Sequence, residues 1–183
     1  MTTAELKNKF LGLSLSAKNL AEEFLKLSYT QINWRSADSQ WSIGECFEHL
    51  IRTNVKFMPA YELYKLKDVE DKEQEFKPTL LGKLITKSVM PGNSRKFKTS
   101  ASFNPIGSSI KVNIIKDFLN QNDEIADLVK MIDSSKLGLK ISSPFSKLVR
   151  YSIGDSFLLI GSHNLRHLQQ AKRVMQNKNY PAV

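Results

Sequence analysis

Two stretches of this chain open in the same way, Ser42-Ile43-Gly44-Glu45 and Ser152-Ile153-Gly154-Asp155. A serine followed three residues later by an acid is a capping box. Its hydroxyl accepts from an early backbone N–H and the carboxylate reaches back to the serine N–H, which satisfies donors that a helix start otherwise leaves orphaned. Whatever the chain folds into must therefore accommodate helices starting at residues 42 and 152. The first is expected to extend to about Lys67, with Pro59, which lacks an N–H, kinking or interrupting it beyond His49. The second is expected from Ile153 to about Gln176.

Apolar spacing predicts two more long helices. Leu6, Phe10, Leu13, Leu20, Phe24 and Leu27 mark one over residues 3–28; Ile110, Ile114, Ile115, Phe118, Ile125, Leu128, Val129 and Ile132 mark another from about Ser108 to Asp133. A short helix is expected over Thr79–Val89. Loops are expected over Gln31–Gln40, over the charged residues 68–76, along a basic connection from Met90 to Ser109, and from Ser134 to Tyr151 with a brief helical turn at Phe145–Leu148. Four long amphipathic helices, no alternating strand pattern and two long crossings predict an all-α chain, an antiparallel four-helix bundle with long crossover connections. Its 183 residues suit one domain spanning 1–183, not two.

The net charge of +9 raises nucleic acid as a partner, so its distribution matters. No acidic residue lies between Glu75 and Asp117, where Lys77, Lys83, Lys87, Arg95, Lys96, Lys98, Lys111 and Lys116 accumulate, and none follows Asp155. No helix-turn-helix, zinc-knuckle or aromatic RNA-binding pattern accompanies them, so nucleic acid is not the expected partner; a solvated basic surface or a site attracting small anions is. No apolar run reaches 18 residues and no signal-like N-terminus is present, which sets the expectation of no membrane and a cytoplasmic location. The single cysteine, Cys46, cannot form an internal disulfide and reads as a small buried residue.

Chemistry concentrates in the three histidines. His163 and His167 lie four residues apart, which puts both imidazoles on one helix face together with Ser156, Ile160, Gln170 and Val174. The third, His49, follows the other capping box, and none is left over. Neutral imidazole ligates zinc, nickel, copper and iron, and three nitrogens leave a coordination position for water or substrate. One metal between two helices accounts for all three. Glu45, one turn before His49, is a capping residue and a candidate partner for its imidazole; Arg166 and Gln170 flank the pair as anion holders or helix ties; Trp41 reads as a staple under the helix entry.

Trp41-Ser42-Ile43-Gly44-Glu45 leading to His49, a basic link ending near Pro105, a helix from about 110 and then His163-Asn164-Leu165-Arg166-His167-Leu168-Gln169-Gln170 resemble, in order and spacing, the DinB-like (DinB/YfiT) superfamily of four-helix-bundle proteins. The resemblance implies a divalent metal, nickel or zinc before iron, manganese or copper, on His49, His163 and His167. It also implies a homodimer and transfer of a low-molecular-weight thiol, an anionic one suiting the acid-poor C-terminal half, to a small electrophile. Metal-dependent hydrolysis and a non-catalytic, metal-stabilised stress-response or interaction protein stay open, and no catalytic side chain is assigned.

Overall fold

The computed structural model describes residues 1–65, 75–93 and 99–182. Its elements are α1 (Thr3–Glu22), α2 (Tyr29–Asn33), α3 (Ile43–Val55), α4 (Met58–Lys65), α5 (Leu80–Val89), α6 (Ile114–Met131), β1 (Lys140–Ser143), β2 (Ser146–Ser152) and α7 (Ile153–Met175). The described chain is thus mostly helical with one two-stranded sheet. No helix among the described residues is long and apolar enough to cross a membrane.

Both expected capping boxes are present, Ser42 with Glu45 on α3 and Ser152 with Asp155 on α7. The glycine inside each start lets neighbours approach where a side chain would collide: a Cβ on Gly44 would lie 2.7 Å from Ile32, and one on Gly154 would lie 2.5 Å from the Phe76 ring. Two further boxes, Thr2 with Glu5 and Ser28 with Gln31, fix α1 and α2. The second explains why the first helix ends at Glu22 rather than 28: Ser28 must adopt an extended backbone to cap α2, so the intervening residues pass through tight turns that still bury Phe24. That short α2 also replaces the start of the loop expected over 31–40. Pro59 acts as expected. The helix from Ser42 stops at Val55, and α4 restarts with Pro59 in its first turn, where an N–H is dispensable.

Further stretches differ from the sequence expectation. Ile110 precedes α6 instead of belonging to it because Asn33 takes over its backbone, with Oδ1 accepting from the Ile110 N–H at 2.7 Å and Nδ2 donating to its carbonyl at 2.8 Å. The 134–151 connection is not a loop with a helical turn but a hairpin, β1 antiparallel to β2 with Ile141 opposite Tyr151. Its buried positions, Ile141, Ser143 and Tyr151, alternate over too few residues to stand out as a strand pattern. β2 runs straight into α7 because Ser152, extended as a strand residue, is also the N-cap. The basic connection from Met90 contains a 3-10 turn at Ala101–Phe103. Residues 94–98, including Arg95, Lys96 and Lys98, and all of the 68–76 loop but Glu75 and Phe76 lie outside the described residues.

Helix α7 packs against α1, α3 and α5, while α6 packs across α1 and α3. The core divides in two. One cluster holds Leu6, Phe10, Phe57, Tyr61, Val129, Phe157 and Ile160; the other holds Ala21, Phe24, Phe47, Leu50, Phe118, Leu168 and Ala171. In sequence, α1 and α7 pass from the first cluster to the second, α6 passes from the second to the first, and α3 leads out of the second toward Phe57 of the first just past its end. The packed neighbours α1 and α7 therefore run the same way, as do α3 and α6, so the pattern is up-down-down-up and not antiparallel throughout. Parallel neighbours cannot be joined by a tight turn; this is why α4, α5 and a long link intervene between α3 and α6. Between the clusters each of the four helices contributes buried polar groups: Ser14, Thr53 and Asn54, Asn122, and Ser162 and Asn164. Asn122 Nδ2 donates to Ser14 Oγ at 2.9 Å across that layer.

The apolar circumference of α7 packs within the chain itself. Phe157, Leu158 and Leu168 are buried, and Leu165 packs on the second cluster.

Candidate metal centre

His49 from α3 and His163 and His167 from α7 meet at the interface of those helices, where α7 passes between the apolar clusters. One ring nitrogen of each lies within 4.8 Å of those of the other two. His49 Nε2 and His163 Nε2 are 3.2 Å apart. The outer nitrogens of His49 and His167 define their tautomers. His49 Nδ1 is 2.8 Å from the Phe103 carbonyl, which can only accept, so Nδ1 carries the proton and the Nε2 lone pair faces the cluster. His167 Nδ1 lies 3.0 Å from Gln170 Oε1, which sets the same tautomer one turn along α7. The Nδ1 of His163 is buried with no hydrogen-bond partner among the described residues.

These residues fit a metal ion. His49 Nε2 turns a lone pair toward His163 Nε2 at 3.2 Å, a contact that a proton or a cation between the two satisfies, and two nitrogens bound tetrahedrally at about 2.0–2.1 Å would be about 3.3 Å apart. Competition from protons is weak. Burial pushes His49 below the ordinary histidine value, and burial reinforced by the neighbouring imidazoles holds His163 well below it. Burial together with His49 lowers His167 to about 3. All three are thus neutral, the form that ligates, at neutral pH.

The walls come from residues the sequence left with other duties. Trp41, expected only to staple the helix entry, sets its ring 4.7 Å from that of His49 and 5.6 Å from that of His167, while its indole N–H donates to Asn104 Oδ1 at 3.0 Å. The Glu45 carboxylate is engaged away from the His49 ring nitrogens. Buried, it accepts from the Ser42 N–H at 2.8 Å and from Arg35 at 2.8 and 2.9 Å, so it caps α3 and anchors a preceding loop residue. Gln170 orients His167, and Arg166 donates to the Asn93 carbonyl at 2.7 Å, tying α7 to the basic connection. Cys46, next to this region in sequence, belongs to the second apolar cluster, and burial raises its thiol far above the ordinary range. The partner of His49 was invisible in the sequence because it is a backbone carbonyl 54 positions away. Gln170, read from the sequence as an anion holder or helix tie, carried a signal for this role in its three-residue spacing from His167.

The imidazoles face a cavity of about 1220 Å³. Arg166 and Arg173 line it, and no carboxylate does among the described residues. The arrangement can hold a cation on three nitrogens and admit a small molecule carrying negative charge.

No curated protein and no solved structure matches the chain. The model of the DinB superfamily matches residues 13–171, nearly the whole length and including all three histidines. The chain belongs to the DinB superfamily.

Proposed function

We propose that the chain holds one divalent ion, nickel or zinc, on the Nε2 atoms of His49, His163 and His167, and that it is a metal-dependent enzyme transferring a low-molecular-weight thiol to a small electrophile. The observation that carries the reading is the convergence of three neutral imidazoles on a large cavity lined by arginines and, among the described residues, by no carboxylate. A closed structural site would take a fourth protein ligand and would not face a cavity of this size. Hydrolysis needs a general base beside the attacking water, and the described walls offer none of carboxylate type.

A divalent ion bound there supplies positive charge that favours thiolate over thiol near neutral pH. The chain's own residues do the rest. The Phe103 carbonyl and Gln170 Oε1 hold the Nδ1 protons so that the ligand lone pairs face inward. Trp41 shields one side of the imidazoles, and Arg166 and Arg173 raise the local positive potential for an anionic substrate. The thiol proton leaves to solvent. The sulfur electron pair forms the new S–C bond while the bond from carbon to its leaving group breaks, its pair departing with that group.

The same reading takes residues 1–183 as one domain in which α1, α3, α6 and α7 form a four-helix bundle, supported by their closed ring of contacts. It places the protein in the cytoplasm. Assembly as a homodimer belongs to it on the family resemblance alone. The experiment is elemental analysis of freshly purified protein, then a thiol and electrophile screen on chelated and reconstituted samples. Near-equimolar metal that each His→Ala change sharply reduces is expected; full occupancy in the triple alanine variant would sink the site. Inactivity of metal-loaded protein across a broad thiol panel would turn the reading to a non-catalytic protein.

A further inference from the structure

The cavity changes character along α7. Before His163 its walls are mostly apolar: Leu159 and Ile160, Ile85 and Val89 of α5, and Phe57 and Phe145, with Thr53 and Ser88 among them. The rings there pack on one another, Phe57 with Phe145 at 6.3 Å and Phe103 with Phe145 at 4.9 Å between centroids. Beyond His167 the walls are mostly polar: Gln170, Arg173 and Asn177, with Val174 among them, and Ser36, Ser39 and Gln40 of the loop before α3. That loop is held at the C-terminal end of α7 by the packing of Trp34 on Tyr180 and by the Gln31 amide, which donates to the Pro181 carbonyl. From Ile160 to Arg173 is about 20 Å of helix at ~1.5 Å per residue, with the imidazoles between. Arg173 is exposed and forms no ion pair among the described residues.

We propose that the two arms divide the substrates. The polar arm takes the anionic reactant with its charged group at Arg173, and the aromatic arm takes an apolar-bodied electrophile, alkyl or aryl, beside Phe57 and Phe145. This assignment deepens the thiol-transfer reading and rests on it for where the reacting atoms meet. The physical ground is separate. Desolvating an apolar body is most favourable against the aromatic walls, and an anion is stabilised where a cation faces the cavity without a carboxylate beside it; Arg166, the other arginine of the lining, is held on the Met90 and Asn93 carbonyls. Arg173 and Phe145 then determine specificity and take no part in bond making.

The test uses S-alkyl mercaptosuccinates, thioethers with two carboxylates on one side of the sulfur and an alkyl chain, from methyl to octyl, on the other. Binding is measured by calorimetry on protein whose metal content is determined in the same sample. Each added CH2 is expected to raise affinity about three- to fourfold until the apolar arm is filled. Arg173→Gln should weaken every member by about tenfold and leave those increments unchanged. Phe145→Ala should flatten the increments; Phe145 is 51% exposed, so its truncation opens no core void. Affinity independent of chain length overturns the aromatic arm, and unchanged affinity in Arg173→Gln overturns the anion position. Both arms predict the same increments in chelated protein, so a failed thiol screen leaves this test standing.

Discussion

Gln170→Ala isolates what holds one of the three converging histidines in place for a metal. Gln170 Oε1 lies 3.0 Å from His167 Nδ1 and contributes no ligand atom to the three-histidine group. Removing that acceptor frees the imidazole to rotate and to place its proton on Nε2, the nitrogen that must carry the lone pair. Loss of such a partner costs about 10–100-fold in metal affinity, or about 1.4–2.7 kcal/mol. The His167→Ala change removes a ligand and should cost far more. Because Gln170 is only partly buried and caps nothing, the metal-free variant should unfold at nearly the parent midpoint. The assay is a competition titration against a chromophoric chelator at neutral pH, with helicity followed by circular dichroism. Gln170→Glu gives the internal control, since an ionised acceptor holds the Nδ1 proton at least as strongly and should preserve affinity. Parent affinity in Gln170→Ala, with His167→Ala still deficient, would refute the reasoning that the amide sets the tautomer.

Cys46→Ser should keep metal and any thiol-transfer activity while costing about 1–3 kcal/mol of stability, because it buries a hydroxyl within an apolar cluster; lost turnover with metal still bound would make the thiol part of the chemistry. Arg35→Met leaves the fully buried Glu45 carboxylate without its cation and should cost about 2–4 kcal/mol in urea unfolding, with metal content unchanged; a neutral result would show that the capping bonds to Ser42 suffice. The metal-free protein should lose stability on acidification. All three histidines have folded pKa values below the ordinary 6.5, His167 at about 3, so only the unfolded chain takes up protons as the pH first drops. Their contribution is complete above about pH 6.5 and falls toward pH 3, by at most about 1.4 kcal/mol per pH unit for each histidine. Chemical denaturation between pH 7 and 5, above the main carboxylate range, measures it; a flat profile there would contradict the burial of the neutral rings.

The chain's local chemistry, by itself, determined where helices begin and which histidines can act together. A capping box is complete within four residues, so Ser42 and Ser152 announce their helices without reference to the rest of the fold. A four-residue spacing decides that His163 and His167 share a face, and Pro59 ends a helix through its missing N–H. What those rules cannot reach is any contact made across the chain. Helix direction is one: the division of the core into two apolar clusters, and with it the parallel pairing of α1 with α7, depends on how whole helices stack. The hairpin is another, since strands this short are stabilised by pairing and by burial of Ile141 and Tyr151, not by local preference. The site divides on the same line. Its three histidines were legible because side chains carry their identity in the sequence, whereas the Phe103 carbonyl that orients His49 is a group every residue possesses. Arg35 and Trp41 acquire their roles only where folding sets them against a buried carboxylate and a pair of imidazoles.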